Sequence, residues 1–389
     1  MTRLPAADWT QRHDLAELVA CLGPDRIRYV GGAVRDTLLR SEVEDVDCAT
    51  TLLPEDVLAH LKAAGIRAVP TGIEHGTITA VMPLGNVEIT TLRKDVATDG
   101  RRATVTFASE WADDAARRDF TINALYAHPE TREISDYFGG LKDLEQRRIR
   151  FIGDARQRIR EDHLRILRYY RFQARFGSEL DKEAEEACTE LAQTLKGLSR
   201  ERVAMELLSL LRLPDPSVTI RRMFAQGVLS VILPETGKME LTTFDRLIDA
   251  ERENTIPAAA LRRLGALLPP ERKAAEMLGS RLRLSREQRK RLICIAQRQT
   301  DDAQNPRALA YRHGRDCAID RLLLLGADCE VLKNWDIPQF PLKGGEIVQR
   351  GVAAGPEVAR ILQSVQNRWV EEGFPDRRRV QAILEEELA

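Results

Sequence analysis

The chain has no long hydrophobic run, few aromatic residues and no cysteines at metal-binding spacing. No apolar stretch approaches the roughly 20 residues that span a bilayer, so no membrane segment is expected. The cysteines are Cys21, Cys48, Cys188, Cys294, Cys317 and Cys329. They form no CxxC pair and no His/Cys group with zinc spacing, which excludes a zinc site of that kind and predicts free thiols in a reducing compartment. The first residues, MTRLPAADWTQRHD, lack the apolar core of a leader peptide, and the expected location is cytoplasmic. Aromatics make up only 5%, which argues against a β-sandwich and for a helix-rich chain. The 59 basic and 60 acidic residues nearly cancel, so a polyanion could be held only by arginines clustered locally.

What is present divides into two textures. At 389 residues the chain exceeds one ordinary core, and several domains are expected. From residue 28 to about 150, short apolar runs alternate with turn signals. Arg28–Val30 reads as a strand broken by Gly31-Gly32, Ala33–Leu39 as a helix and Val46–Ala49 as a second strand. A helix is predicted from Pro54 to about Ala64, with Thr50 or Thr51 as its cap. Thr77–Met82 and Val87–Thr91 read as a hairpin turning at Leu84-Gly85-Asn86. Arg93–Glu110 is polar without a period and is predicted to be a loop, and Asp114–Ala127 a helix. Beyond Phe151 the spacing becomes helical, over 155–176, 181–196, 199–212, 216–227 and further on. The fold class expected is a small mixed α/β head followed by an all-α C-terminal region.

The most informative stretch is Val30–Thr50, VGGAVRDTLLRSEVEDVDCAT. Asp45 and Asp47 flank Val46, so on a strand their carboxylates share one face. Two carboxylates so close repel unless a cation lies between them, and hard oxygen ligands of this kind suit Mg²⁺. A lone DxD is a weak signal. Here it follows Gly31-Gly32, where backbone N–H groups at a helix start can approach a phosphate, and Arg35 lies one turn further on. Glu88 is a candidate third carboxylate, with a solvated strand residue as the even alternative.

These residues resemble a known signature. GGAVRDTLLRSEVEDVDCAT is similar to the nucleotidyltransferase motif of the class II family that contains tRNA CCA-adding enzymes and bacterial poly(A) polymerases. RRDFTINAL (Arg117–Leu125), DYFGGLKDL (Asp136–Leu144), EDHLRILRYYRF (Glu161–Phe172) and LSRERVAMELLSLL (Leu198–Leu211) resemble its further motifs in the same order. FPLKGGEIVQRG and GPEVARIL, from Phe340 onward, resemble the tail of tRNA-directed members more loosely.

The resemblance implies roles. Asp45, Asp47 and Glu88 would be catalytic, the first two as Mg²⁺ ligands. Gly31, Gly32, Arg35, Asp36, Arg118, Asp119 and Asn123 would line the nucleotide site. Arg147–Arg175 holds ten arginines against three acids, a local cluster of the kind a triphosphate needs. Within it Asp162 and Arg165 would pair with the base edge of CTP or ATP, and Arg168 and Arg171 would hold the triphosphate. Arg93, Asp95, Asp99, Gly100 and Arg101 resemble the family's lever loop, which favours full CCA addition. Asp136, Gly139, Gly140 and Asp143 are expected to shape a strand–turn–helix joint. Glu201, Arg202 and Glu206 are expected to stiffen the following helices through ion pairs.

The implied division is a head over residues 1–145, a base-recognition neck over 146–212 and a tRNA-binding body and tail over 213–389. The implied reaction is template-independent addition of CCA to the 3′ end of tRNA. A poly(A) polymerase or CC-adding enzyme of the same family stays open as an alternative. A non-catalytic RNA-binding protein with a decayed head is disfavoured, because every implied metal and nucleotide residue is present.

Overall fold

The computed structural model describes residues 2–99 and 102–389. They form two compact units, one running up to Leu210 and including Val218–Ile232, the other made of Leu211–Ser217 and Leu233–Ala389.

The first unit opens with helix α1 (His13–Leu22) and is built on a seven-stranded mixed sheet. Its strands are β1 (Ile27–Val30), β2 (Val46–Thr50), β3 (Ala68–Gly72), β4 (Thr77–Ala80), β5 (Val87–Thr91), β8 (Leu125–Ala127) and β9 (Ile134–Asp136), in the spatial order β3-β4-β5-β2-β1-β8-β9. Strand β2 is central because Val46, Cys48, Ala49 and Thr50 are all buried. It pairs antiparallel with β1, setting Asp47 opposite Val30, and parallel with β5, setting Asp47 opposite Glu88. The expected β4–β5 hairpin is present, with Thr77 opposite Thr90. Helices α2 (Gly32–Leu38) and α3 (Pro54–Ala63) also form. The position before α3 is Leu53 and carries no side-chain cap; Thr50 instead donates to the Arg26 carbonyl at 2.8 Å.

Two expectations in the head are corrected. Arg93–Glu110 is no simple loop, since β6 (Arg93–Asp99) and β7 (Arg102–Phe107) form a two-stranded ribbon. A ribbon that pairs only with itself needs no alternating apolar face, so its sequence gave no strand period. Gly100 and Arg101 lie outside the described residues. Asp114–Ala127 is not one helix either. Helix α4 (Trp111–Ala116) is followed by a 3₁₀ turn over Thr121–Asn123 and then by β8. All three residues of β8 are buried, and a short apolar run buried on both faces has no period that separates strand from helix.

The joint after β9 forms as expected. Asp136 accepts the backbone N–H groups of Gly140 at 2.9 Å and Leu141 at 3.0 Å, at the start of α5 (Gly140–Glu145). The following helices are α6 (Ala155–Glu161), α7 (Arg165–Phe176), α8 (Lys182–Glu190), α9 (Arg200–Leu211), α10 (Ser217–Ala225) and α11 (Val228–Ile232). The helix predicted over 155–176 is thus broken at Asp162. Phe120 packs on Phe151 and on Phe172 at ring distances of 4.9 and 5.2 Å, and Phe151 stacks on Tyr169 at 6.0 Å. This aromatic cluster seats α7 against the head.

The second unit is helical: α12 (Lys238–Glu253), α13 (Ala260–Ala266), α14 (Arg272–Arg281), α15 (Arg286–Ala296), α16 (Pro306–His313), α17 (Arg315–Leu324), α18 (Gly344–Val348), α19 (Pro356–Glu371) and α20 (Arg377–Leu388). Trp369, Val365, Ile347 and Ile383 lie in the core of its last part. Buried Arg263 donates to Glu251 and to the carbonyls of Leu211, Leu213 and Pro214, tying the linker into this unit. Cys294 on α15 and Cys317 on α17 form a disulfide with Cα atoms 6.3 Å apart, which corrects the expectation of six free thiols. The pair is 23 residues apart in sequence and meets only through helix packing, which spacing alone does not reveal.

A β-carbon added at Gly140 would lie 2.3 Å from the Thr121 carbonyl oxygen, whereas nothing lies within 4 Å of one at Gly197. Gly140→Ala should therefore cost about 2 kcal/mol or more of stability and Gly197→Ala less than about 0.5 kcal/mol, as read by denaturant unfolding.

Candidate active site

The site begins at the end of β1. Gly31 has φ of 68°, a left-handed conformation that favours glycine, and its carbonyl accepts the Arg35 N–H at 3.0 Å to start α2. Above this turn opens a cleft of about 390 Å³. Gly31, Gly32, Arg35 and Asp47 line it, and so do Arg118, Asp119 and Asn123. Asp162, Arg165 and Arg168 also reach it. Ten of the residues singled out from sequence thus meet in one place, by count of the three groups just named.

Four others do not line the cleft. Asp45 is exposed and immediately precedes β2, while Glu88 is exposed beside Asp47 on the parallel strand. Asp36 is buried and grips Arg35 with both oxygens, at 2.8 Å each. Arg171 turns to Glu206 at 2.6 Å. Asp162 ends α6, so it does not share a helix with Arg165 and Arg168, which form a stripe on α7 with Asp162 set at the bend. Two cleft residues went unassigned from sequence: Arg117, next to the predicted Arg118, and Phe172. The 165, 168, 172 spacing marks one helical face and could have found Phe172.

The cleft acids fall into two kinds. Burial alone would push the Asp119 carboxyl up, but Arg168 and the Asn123 amide hold it below its usual range. Arg168 donates to Asp119 at 2.5 and 2.8 Å, Asn123 at 3.0 Å, and Arg35 continues the chain to the Asn123 oxygen at 2.6 Å. Asp162 accepts from Arg202 at 2.7 Å, and Arg165 is held by Glu161 at 2.7 Å and by the Arg117 carbonyl at 3.2 Å. The expected ion pairs from α9 are therefore present at Arg202 and Glu206.

Asp47 is the other kind. Burial pushes its carboxyl up, Glu88 and Asp45 push it further, and Arg118 alone opposes them. Among the described residues no hydrogen bond or ion pair reaches the carboxylates of Asp45, Asp47 or Glu88. Asp45 and Asp47, hard oxygen donors that repel one another and lack partners, have the chemistry of a site for a divalent cation that takes its other ligands from water and phosphate. Among the described residues, no three His, Cys, Asp or Glu side chains form a ready-made cage.

A mixed sheet that sets an aspartate pair beside a glycine turn and an arginine-lined cleft defines a nucleotidyltransferase. Residues 27–150 match the family described as poly A polymerase head domain, and residues 177–239 match "Probable RNA and SrmB- binding site of polymerase A". The chain is 34% identical over 366 residues to the mitochondrial CCA tRNA nucleotidyltransferase 1 of Danio rerio, covering 88% of this chain and 83% of that protein. It is 32% identical over 381 residues to the CCA-adding enzyme of Streptococcus sanguinis, covering 92% of each. The fold matches the crystal structure of the Bacillus stearothermophilus CCA-adding enzyme in complex with CTP, at a TM-score of 0.75 and 25% identity over 97% of this chain and 98% of that one. The chain belongs to the nucleotidyltransferase family of the CCA-adding enzymes.

Asp114, behind the cleft, is buried, yet Arg118 and Arg117 hold its carboxyl down at about 2 against an ordinary 3.8. A carboxyl depressed on folding stabilises fully above its ordinary value and loses that contribution as pH falls through the depressed one. The stability gap between the parent and Asp114→Asn should therefore narrow by roughly 2 kcal/mol as pH falls from about 4 to 2, as read by denaturant unfolding at each pH.

Proposed function

We propose that this chain adds CCA to the 3′ end of tRNA from CTP and ATP, releasing pyrophosphate, and does so in the cytoplasm. The observation that carries this reading is the single cleft in which Asp47, the Gly31 turn and the arginine stripe of α7 meet. The named activities of the two relatives support it, as does the CTP bound by the structural neighbour. Among the described residues, no helix is long and apolar enough to cross a membrane.

In this reading Asp45 and Asp47 would hold Mg²⁺, with Glu88 as a third carboxylate, and the lack of protein partners for their oxygens supports it. When bound, such ions neutralise charge on the attacking hydroxyl and on the departing pyrophosphate. The Gly31–Gly32 turn offers backbone N–H groups to phosphate. Arg118 and Arg168 bring cations to the same side, and Arg35, clamped by Asp36 and Asn123, walls the turn. Asp162 supplies acceptors and Arg165 paired donors for a base edge, so the protein stands in for a template strand. A base whose donors and acceptors do not match leaves a polar group unpaired, at about 1–3 kcal/mol. Arg171, which pairs with Glu206 outside the cleft, braces α7 against α9. In this reading residues 1–145 form the catalytic head and 146–212 the base-recognition neck. Residues 213–389 hold tRNA through phosphates and shape.

Incubation with labelled CTP or ATP and tRNA lacking its 3′ CCA tests the proposal. Two C additions and one A are expected. Repeated ATP incorporation on generic RNA would instead make the chain a poly(A) polymerase, and arrest after two C residues a CC-adding enzyme. Asp47→Ala should abolish incorporation and leave tRNA affinity in a gel-shift assay within about twofold, since it removes transition-state stabilisation and not RNA contacts. Arg165→Ala should cut discrimination of CTP and ATP against UTP and GTP by about tenfold, the cost of one lost base contact. Unchanged selectivity in competition assays would remove Arg165 from base reading.

A further inference from the structure

Arg118 has three guanidinium nitrogens, and the structure accounts for each. Nε donates to the Tyr126 hydroxyl at 2.9 Å, and Nη2 donates to Asp114 at 3.1 Å. The Tyr126 hydroxyl in turn donates to the same Asp114 oxygen at 2.6 Å, closing a triangle. That leaves Nη1, which no hydrogen bond engages among the described residues and which would lie 3.5 Å from a β-carbon at Gly31. The fixed side of the fork is turned into the protein, and the open side faces the glycine turn.

Both clamping groups are themselves fixed. Tyr126 is fully buried on β8, opposite Val30 on β1, and packs edge-on against Trp111 with ring centroids 5.9 Å apart. Val30 is in turn opposite Asp47, so the sheet sets the distance from the clamp to the aspartate pair. Asp114 is 1% exposed and takes two further donors on its other oxygen. These are Arg117 Nε at 2.8 Å and the backbone N–H of Arg93, the first residue of β6, at 3.2 Å. Neither Asp114 nor Tyr126 lines the cleft.

We infer that Asp114 and Tyr126 are positioning residues that aim Arg118 Nη1 at the phosphates of the incoming nucleotide, and that Arg118 therefore grips the part common to CTP and ATP and does not read the base. This rests on the nucleotidyltransferase reading of the cleft. It predicts a particular kinetic signature. Loosening the clamp weakens both nucleotides alike and leaves the choice between them intact, because the lost contact is to a group they share.

The test compares Tyr126→Phe, Arg118→Lys and Arg118→Ala with the parent in the full chain. Tyr126→Phe keeps the buried ring and removes only the hydroxyl. Arg118→Lys keeps the charge and lacks the fork. Tyr126→Phe should raise KM for CTP and for ATP by the same factor, about five- to tenfold, the loss expected for one ordinary hydrogen bond. kcat should change by less than about threefold and UTP misincorporation not at all, because the variant spares the reacting groups. Weakened inhibition by inorganic tripolyphosphate in parallel would locate the defect at the phosphates. If Tyr126→Phe fails to fold, Arg118→Lys carries the same expectation. Wild-type KM in Tyr126→Phe with a raised KM in Arg118→Ala would overturn the clamp alone. An unchanged KM in Arg118→Ala would remove Arg118 from the nucleotide site and with it the reading on which the inference stands. A KM raised for only one of CTP and ATP would make Arg118 a base reader and refute the inference.

Discussion

The ion pair between Asp119 and Arg168 is the constraint on which the rest of the cleft depends. Asp119 belongs to the turn before β8 and Arg168 to α7, so the pair joins the sheet to the helix that carries the arginine stripe. Such a pair is costly to bury and is tolerated only when its remaining donors and acceptors are satisfied. Asp119 meets that condition, since it also accepts from Asn123 and from the Phe120 backbone at 2.8 Å. Asn123 passes the linkage to Arg35, and Asp36 holds Arg35 from behind. A chain of hydrogen bonds therefore runs from α7 through the head turn to α2 along the wall of the cleft. Loss of one partner would strand a buried charge, at about 3–5 kcal/mol, which explains why each member is doubly held.

That linkage separates scaffold from chemistry. Most arginines of the cleft are engaged: Arg35 by Asp36 and Asn123, Arg165 by Glu161, and Arg168 by Asp119 and Glu206. Their geometry is set by the fold itself, which is what the proposed selection by hydrogen-bond pattern would need, because a reader free to swing would accommodate the wrong base. The near-zero net charge of the whole chain follows from the same economy. Arginines are abundant here, but most are matched locally by acids, and the positive character of the cleft comes from where those pairs face and not from an excess of base.

Much of this was legible in sequence because it depends on spacing within single elements. The DxD at the start of β2, the glycine turn of α2 and the β4–β5 hairpin each follow from a local pattern. What was not legible depends on partners far along the chain. Asp119 was expected to line the nucleotide site, and nothing in RRDF announces that Arg168, 49 residues later, would claim it. Arg171 was assigned to the triphosphate through the resemblance, together with Arg168. The helix is interrupted at Asp162, however, and only Arg165, Arg168 and Phe172 share the face turned to the cleft. The β6–β7 ribbon and β8 were misread for opposite reasons, one too polar and the other too uniformly apolar to show a strand period. The Cys294–Cys317 bond likewise exists only because α15 and α17 are neighbours in space.

Asp47 and Asp119 make the division of labour plainest. Both are aspartates that line the same cleft, and burial acts on both in the same direction, against the charged form. Asp119 sits among donors that outweigh burial and hold it ionised as part of the frame. Asp47 sits among carboxylates, with Arg118 as the one opposing cation, so its charge is left uncompensated by the protein. A fold that spends its hydrogen bonds on one aspartate and withholds them from another has built a support and a binding position from the same side chain. The withheld position is the one beside Glu88 and next to the Gly31 turn, and a divalent cation with a triphosphate would supply what the protein there does not.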